Sequence, residues 1–274
     1  EQISNDDMPT KAIKNKKDSS MVTGLNMLKE GKGEVFISAG NTGALMTGAL
    51  LIVGRIKGID RPALAPLIPT KKGAAMIIDA GLNTVCKPIN YQQFAIIGSI
   101  YMKEMYNINN PSVGLINVGT EETKGNEIIK QAHTLISSSN INFVGNIEGR
   151  CITEGKVDVV VCDGFVGNVL LKFLEGVGCF IFDELKGIFK KNIFNKISVS
   201  LLKKDIRKFF QKLNYEEYGG TPILGINGIV VKCHGSSSAK TIKNTIFKSY
   251  TFSKTSFQKQ IEKEFINMEV EDVE

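Results

Sequence analysis

The segment from Val157 to Lys172 constrains the fold more than any other part of the chain. It begins with the largely β-branched run VDVVVC, which is typical of a strand buried on both faces of a parallel sheet. The polar turn DGFVGN follows, and the apolar spacing after it predicts a helix with Asn168 as its N-cap. A strand, a glycine turn and a capped helix place backbone N–H groups at the carboxyl edge of a sheet. This unit therefore predicts an anion site, with the Asp163 carboxylate beside it.

The same order of strand, glycine-containing turn and helix recurs along the chain. Strand-like apolar runs end near Ser38, Ile78, Asn117, Gly145 and Lys232. Helical patterns follow at 44–56, 88–105, 125–136 and 239–250. Consecutive units of this kind predict an α/β fold with a doubly wound parallel sheet and with all the polar turns along one edge. We expect a single α/β domain over residues 1–274.

Composition limits the class of protein. At 274 residues with 42% apolar residues, the chain can bury a large core. The five cysteines are widely spaced without a C-x-x-C pair, so neither a disulfide framework nor a zinc site is indicated. The first residues are polar and we expect no bilayer-spanning stretch, which favours the cytoplasm. The net charge of +6 fits an acidic partner such as anionic lipid or an acidic carrier protein.

Residues 179–213 break the α/β pattern with a helical, amphipathic stretch. Its apolar side chains are flanked by a belt of lysines and include Ile193, Phe194, Leu201 and Leu202. We expect a protruding helical hairpin, whose composition fits either contact with an anionic membrane surface or packing in a core or dimer interface. The acidic residues from Glu262 to Glu274 predict a frayed, solvated end.

A glycine-rich turn at 38–44, SAGNTGA, offers hydrogen-bond donors. Gly40 and Gly43 allow a ligand to approach the backbone, and Asn41 and Thr42 supply donors. The spacing is neither G-x-G-x-x-G nor a Walker A loop, so no nucleotide cofactor is indicated. A plain tight turn with Thr42 as the helix cap explains the same residues.

Two further turns carry polar side chains. The segment NVGTEETKGN at 117–126 gathers amide, carboxylate and ammonium groups, although a solvated loop with a helix cap fits it equally well. The same ambiguity applies to Asp79 and Asn83. His234 ends a strand and precedes Gly235 and Ser236, so near an anion it would donate a hydrogen bond or transfer a proton. A serine nucleophile is disfavoured because no G-x-S-x-G elbow is present.

Six ordered motifs together resemble one known family. SAGNTGALM, DAGLN, GLINVGTEE-x-KGN, NIEGR, DVVVCDGFVGNVLLK and GINGIVVKCHGSS look like the bacterial phosphate acyltransferases over almost the whole chain. Chains of that family normally begin earlier, and this chain begins at Glu1 without Met, which indicates an N-terminally truncated or processed chain. Leu82 and Cys151 depart from the residues common in the family at those positions.

The resemblance implies a Rossmann-like three-layer sandwich related to isopropylmalate dehydrogenase and phosphotransacetylase. It implies the conversion of acyl-[acyl-carrier-protein] and inorganic phosphate into acyl-phosphate and free carrier protein, for phospholipid synthesis. It further implies a cytoplasmic homodimer that associates peripherally with the membrane and supplies a glycerol-3-phosphate acyltransferase. No cofactor, metal or nucleic acid is expected.

The candidate site gathers residues from these turns. Asn41, Asp163 and His234 are the predicted catalytic residues. The predicted substrate-binding residues are Gly40, Thr42, Gly43, Asp79, Asn83, Asn117, Gly119, Glu121, Lys124, Glu148, Gly164, Gly167, Asn168, Lys172, Gly235 and Ser236. Among them, Asp79, Glu121 and Asp163 would orient donors, and Lys124 and Lys172 would supply positive charge.

Two other functions remain open at this point. A phosphotransacetylase-like enzyme would use acyl-coenzyme A in place of acyl-carrier protein. A non-catalytic module would bind lipid or carrier protein without turnover. A decarboxylating dehydrogenase fits least, because the sequence offers neither an arginine cluster for a di-acid nor a metal-binding set of aspartates.

Overall fold

The computed structural model describes residues 1–192, 195, 199, 201–202, 204–206 and 218–271. The strands within them are β1 (Val35–Ser38), β2 (Ala63–Leu64), β3 (Leu67–Thr70), β4 (Gly73–Ile78), β5 (Ser112–Ile116), β6 (Asn142–Ile147), β7 (Val159–Val161), β8 (Thr221–Leu224) and β9 (Ile229–Lys232). The helices are α1 (Pro9–Asn15), α2 (Ser20–Lys29), α3 (Thr42–Gly48), α4 (Pro88–Tyr106), α5 (Glu127–Ser137), α6 (Gly149–Glu154), α7 (Gly164–Lys190), α8 (Ala239–Ser253) and α9 (Phe257–Glu271). A π-helical turn, Ala49–Val53, continues α3.

The strands divide between two sheets. One has the order β3-β4-β7-β5-β6, in which β4, β7, β5 and β6 are mutually parallel and β3 is antiparallel to β4. The other has the order β1-β9-β8-β2, with β1 and β9 parallel and β8 antiparallel to both of its neighbours. The predicted α/β class is confirmed, but the polar turns lie along two sheet edges, not one.

The chain passes from one sheet to the other at Ala65 and Pro66. The Ala65 N–H donates to the Pro222 carbonyl in the four-stranded sheet, at 3.2 Å. The Pro66 carbonyl accepts from the Ile77 N–H in the five-stranded sheet, at 3.0 Å. This short crossing is hydrogen-bonded to both sheets and therefore holds them side by side.

The main core lies between the five-stranded sheet and α4. The three valines of β7 are fully buried, as the apolar run predicts. Val159 and Val161 pack in one cluster with Phe94 and Ile97 of α4, and Val160 packs in a separate cluster. Gly98 brings α4 close to the sheet, since a Cβ there would lie 2.6 Å from a methyl group of Val159. Burial of each such side chain stabilises the fold by about 1.5–3 kcal/mol.

The C-terminal acidic stretch is not frayed, so the prediction for residues 262–274 is wrong as far as the structure describes them. Helix α9 runs to Glu271 and buries Phe257, Ile261 and Phe265. These side chains recur at four-residue spacing, which puts them on one face of the helix. That face packs against α4, where Phe257 lies edge-on to Tyr101 at 5.8 Å between ring centroids. Burial of this apolar face stabilises the helix despite its acidic composition.

Helix α7 differs from the sequence prediction at both ends. It begins at Gly164 with Asp163 as N-cap, because the Asp163 carboxylate accepts the Val166 N–H; Asn168 lies inside the helix and does not cap it. It continues unbroken to Lys190, past the expected start of a hairpin at 179.

Helix α7 carries exposed apolar side chains from its first turn onward. The side chains of Phe165, Phe173 and Phe180 are 63%, 67% and 67% exposed. The helix is long and apolar enough to cross a membrane by length and composition, which contradicts the expectation that the chain has no such stretch. Of the predicted hairpin tip, Leu201 and Leu202 are exposed, whereas Ile193 and Phe194 lie outside the described residues.

Candidate active site

The turn after β4 is built around Asp79. Its side chain is fully buried and its carboxylate accepts hydrogen bonds from the backbone N–H groups of Leu64, Leu82 and Asn83, at 2.9, 3.0 and 2.6 Å. The Asn83 amide donates to it as well, at 2.9 Å, and to the Pro62 carbonyl. Burial raises the pKa of Asp79, and these hydrogen bonds oppose the rise. Asp79 therefore ties the end of β2 to the turn after β4 and acts as a positioning residue.

Two predicted glycines bring α7 against this turn. A Cβ on Gly167 would lie 1.9 Å from the Asp79 carbonyl oxygen. A Cβ on Gly164 would lie 2.8 Å from both the Asn83 nitrogen and an Asp79 carboxylate oxygen. Close packing thus accounts for the glycines in DGFVGN.

The first turn of α7 is not an open anion site, contrary to the prediction. The Gly164 N–H donates to the Asn83 carbonyl at 2.7 Å, and the Gly167 N–H donates to the Asp163 carbonyl at 2.9 Å. The Val166 N–H donates to the Asp163 carboxylate at 2.8 Å. The Tyr91 hydroxyl donates to the second oxygen of that carboxylate, at 3.1 Å. Because these donors already have partners, an anion would have to displace protein groups to reach them.

The turn before α3 is capped by Asn41, not by Thr42. The Asn41 Oδ1 accepts from the Ala44 N–H at 2.9 Å, and its Nδ2 donates to the Ser4 carbonyl at 2.9 Å. The side chain is 8% exposed, so it holds the turn and the N-terminal segment together. Gly43 packs on α1, since a Cβ there would lie 2.7 Å from Pro9.

The turns after β1 and β9 lie side by side because these strands are parallel neighbours. Gly235 approaches the Ala39 carbonyl, which lies 3.7 Å from the position of a Cβ on Gly235. Gly40 follows Ala39 in the chain, and its N–H donates to the Ser38 hydroxyl at 3.2 Å. The glycine turn after β1 therefore lies next to the histidine turn after β9.

A cavity of about 200 Å³ lies where the two sheets meet. The crossing at Ala65 and Pro66, the start of β8, the end of β9 and one face of α7 all line it. The predicted site residues that line it are Thr42, Asn168, Lys172, His234 and Ser236. We call this cavity the junction cleft.

Two lysines line the junction cleft together. Lys172 on α7 forms an ion pair with Glu175 at 2.7 Å. Lys232 is the last residue of β9 and is partly buried. Burial lowers the pKa of Lys232, and the positive charge of Lys172 lowers it further, while the Glu175 carboxylate, which also lines the cleft, opposes the shift. An anion bound between them would relieve this repulsion. Sequence reasoning missed Lys232, whose only signal is its position directly before the histidine turn.

The histidine turn presents a defined donor. The Ser236 N–H donates to the His234 Nδ1 at 3.2 Å, and the Ser236 hydroxyl lies 2.7 Å from the same nitrogen. With Nδ1 accepting these hydrogen bonds, the proton of the neutral ring is assigned to Nε2. His234 therefore offers an N–H donor from a side chain that lines the cleft.

The loops after β5 and β6 form a separate group. The Asn117 amide donates to the Lys124 carbonyl at 3.1 Å, next to Gly119, and Glu148 pairs with Arg150 at 2.7 Å. The Asn146 amide donates to the Glu121 carbonyl at 2.8 Å and links the two loops. In the order β3-β4-β7-β5-β6 these strands lie beyond β7. Among the residues that the structure describes, none from these loops lines the junction cleft.

The protein has an α/β fold of the class found in the phosphotransacetylases. It resembles the EutD phosphotransacetylase from Staphylococcus aureus with a TM-score of 0.58 at 13% identity, covering 85% of this chain and 67% of that one. A phosphotransacetylase from Streptococcus pyogenes gives 0.58 at 14% identity, with 84% and 66% covered. At these identities the likeness concerns the fold alone.

Sequence comparison gives the family. A family described as "Fatty acid synthesis protein" matches residues 1–260. The phosphate acyltransferase of Acetivibrio thermocellus is 60% identical over 274 residues, covering 100% of this chain and 81% of its own. That of Thermoanaerobacterium thermosaccharolyticum is 51% identical over 264 residues, covering 96% and 79%. The chain belongs to the phosphate acyltransferase family, as its six motifs predict, and is an enzyme.

Proposed function

We propose that the protein transfers an acyl group from acyl-carrier protein to inorganic phosphate and releases acyl-phosphate and free carrier protein for phospholipid synthesis. The observation that carries this proposal is the pair of ammonium groups, Lys172 and Lys232, in a cleft that also holds the His234 donor. Two partly repelling cations in one cleft suit a doubly charged phosphate. The names of the relatives support the same reaction.

The reaction depends more on positioning the phosphate and the thioester than on a strong base to activate the phosphate. Phosphate is anionic near neutral pH, so one of its oxygens can attack the thioester carbonyl directly. The new carbon–oxygen bond forms a tetrahedral oxyanion, whose collapse breaks the carbon–sulfur bond and releases the carrier thiolate. A thiol has a pKa of about 8.5, so it leaves without a strong general acid. The enzyme must mainly hold phosphate against the carbonyl and stabilise the oxyanion.

The cleft supplies groups for both tasks. Lys172 and Lys232 attract the phosphate, while the His234 Nε2–H, oriented by Ser236, donates a hydrogen bond to it. The backbone N–H groups of Thr42 and Gly43 make no hydrogen bond to the part of the chain that the structure describes, and Thr42 lines the cleft. We assign these N–H groups to the oxyanion.

Four predicted residues support the site through other groups. Asp79 and Asn83 hold the turn after β4 against β2, and Asp163 caps the helix that carries Asn168 and Lys172. Asn41 fixes the turn that carries Thr42. Their removal would misplace donors, which costs rate even without contact with the substrate.

We further propose a cytoplasmic homodimer that touches the membrane. The exposed apolar side chains of α7 support burial against a second copy, since a large exposed apolar surface marks an interaction site. Beyond α7, Leu201 and Leu202 are exposed, and Lys190, Lys191 and Lys204 belong to the same stretch of sequence, whose apolar and basic composition suits anionic lipid. The acyl-phosphate would then pass to a glycerol-3-phosphate acyltransferase.

Trapping with hydroxylamine tests the reaction, because an acyl-phosphate gives a hydroxamate. Acyl-carrier protein and phosphate together should yield hydroxamate, and leaving out phosphate should abolish it. A higher kcat/KM with acyl-coenzyme A would favour the phosphotransacetylase-like alternative. Binding of carrier protein and vesicles without hydroxamate would favour a non-catalytic module.

A further inference from the structure

The residues that line the junction cleft change from polar to apolar across the four-stranded sheet. Lys232 at the end of β9 lies opposite Ser38 of β1 on one side and Thr221 of β8 on the other. The next residue of β8, Pro222, is hydrogen-bonded through its carbonyl to Ala65 at the crossing. The cleft is therefore lined by polar and cationic residues at β1 and β9, and by apolar residues at β8 and β2.

The apolar half of the cleft has a defined wall. Leu64, Ala65 and Leu67 of the crossing line it, and all three are at most 9% exposed. Tyr101 and Tyr218 close it from the side of α4 and the segment before β8. None of these five residues is charged, and Lys248, whose ammonium lies 5.2 Å from the Tyr218 ring centroid, lines the second cavity and not the cleft. The apolar half of the cleft therefore suits a saturated hydrocarbon.

A second cavity, of about 20 Å³, lies on the other side of this wall. Four residues line both cavities, namely Tyr101, Tyr218, Gly220 and Pro222. The partition between the two is therefore one residue thick.

We propose that the apolar half of the junction cleft binds the acyl chain of the thioester and that the Tyr218 ring limits how long that chain can be. The inference rests on the proposed acyl transfer and adds the location of the chain. With the thioester carbonyl beside the phosphate at Lys232, the chain passes over the start of β8, between the crossing and Gly220, and meets Tyr218.

Tyr218 is the member of the partition that can set the limit. Tyr101 is 6% exposed and lies edge-on to Phe252 at 5.1 Å, so it belongs to the core. Gly220 has no side chain, and a Cβ there would lie 2.8 Å from the Lys232 carbonyl. Pro222 is a buried residue of β8 whose carbonyl holds the crossing at Ala65. Tyr218 is only partly buried, and the Lys248 ammonium lies over its ring at 5.2 Å from the centroid. Its hydroxyl, whose pKa burial raises above the ordinary 10.0, is uncharged at neutral pH.

The test compares acyl-carrier proteins with medium and long saturated chains in the hydroxamate assay. Tyr218→Ala joins the two cavities, and we expect the ratio of kcat/KM for long over medium chains to rise by about tenfold, the scale of one or more methylene groups in an apolar pocket. Tyr218→Phe keeps the ring and should keep the wild-type ratio. A Tyr218→Ala enzyme that is folded and active but has the wild-type ratio would overturn the proposal.

A substitution at Ser249 tests whether the acyl chain enters the second cavity in Tyr218→Ala or whether that substitution only loosens the packing. Ser249 lines the second cavity and is 5% exposed. Ser249→Val alone should leave the chain-length ratio as in wild type, whereas added to Tyr218→Ala it should return the ratio toward wild type. An unchanged ratio in the double variant would contradict entry of the chain into the second cavity. Failure of the reaction itself would differ, since wild type would then form no hydroxamate with any chain length.

Discussion

Replacing Lys232 with methionine removes one of the two cations that we assign to phosphate. Methionine keeps much of the side-chain volume, so the partly buried stem still packs. A hydrogen bond to a charged group is worth about 1.5–3 kcal/mol, and a loss of about 2 kcal/mol corresponds to about 30-fold in kcat/KM. We expect this loss mainly as a higher KM for phosphate, with a much smaller change in the KM for acyl-carrier protein.

Lys232→Met, which should lower kcat/KM, should not lower the free energy of unfolding. Burial and the charge of Lys172 lower the pKa of Lys232, so the folded state holds this proton less tightly than the unfolded chain does. The group therefore costs stability at neutral pH. The cost disappears as the pH rises through the interval between the lowered pKa and the ordinary 10.5. Lys232→Met should melt no lower than wild type without phosphate, and phosphate should raise its Tm less.

Initial rates at varied phosphate, together with thermal melts, measure both effects. Lys232→Arg keeps the charge and should recover part of the affinity for phosphate. Lys259→Met makes the same change of charge at an exposed position on α9, outside the cleft, and should leave both KM values unchanged. An unchanged KM for phosphate in Lys232→Met would refute the assignment of the cleft to phosphate.

The remaining predictions concern packing and the membrane surface. Gly167→Ala places a methyl group 1.9 Å from a backbone oxygen and should cost about 3 kcal/mol in urea unfolding, whereas Gly176→Ala, with open space at its Cβ, should be neutral or stabilising by up to about 1 kcal/mol. Phe265→Ala in α9 should cost about 3–5 kcal/mol, and the neighbouring, 49% exposed Ile266→Ala less than about 0.5 kcal/mol; equal effects would contradict the packing of α9. Leu201→Ser should reduce co-sedimentation with anionic vesicles without changing the rate with soluble substrates, and unchanged sedimentation would remove Leu201 from the membrane contact.

The parallel part of the fold follows from local sequence. Continuous apolar runs such as β7, each followed by a glycine turn, predict the buried strands of the five-stranded sheet, and their helices follow from spacing. The antiparallel strands β2, β3 and β8 were not predicted. They are short, and prolines at 69 and 222 argue against strands when read locally. The existence of a second sheet, and thus of the junction cleft, depended on these strands.

Some residues of the candidate site could also be predicted from local sequence, and others could not. Thr42, Lys172 and His234 were predicted from the turns that carry them, and the structure brings all three to the cleft. The donors at the start of α7 were expected to be free, but Asn83, distant in sequence, occupies one of them. Tyr218 has no local motif, and its position at the cleft arises only where the two sheets meet.

The reaction can be observed most directly by phosphorus NMR of the protein mixed with long-chain acyl-carrier protein and inorganic phosphate. We predict an acyl-phosphate resonance that grows in step with free carrier thiol for wild type, and that grows far more slowly for a folded Lys172→Met, Lys232→Met double variant. Release of carrier thiol without acyl-phosphate would show thioester hydrolysis instead of transfer to phosphate. That result, or an equal rate in the double variant, would contradict the central claim that the junction cleft holds the attacking phosphate.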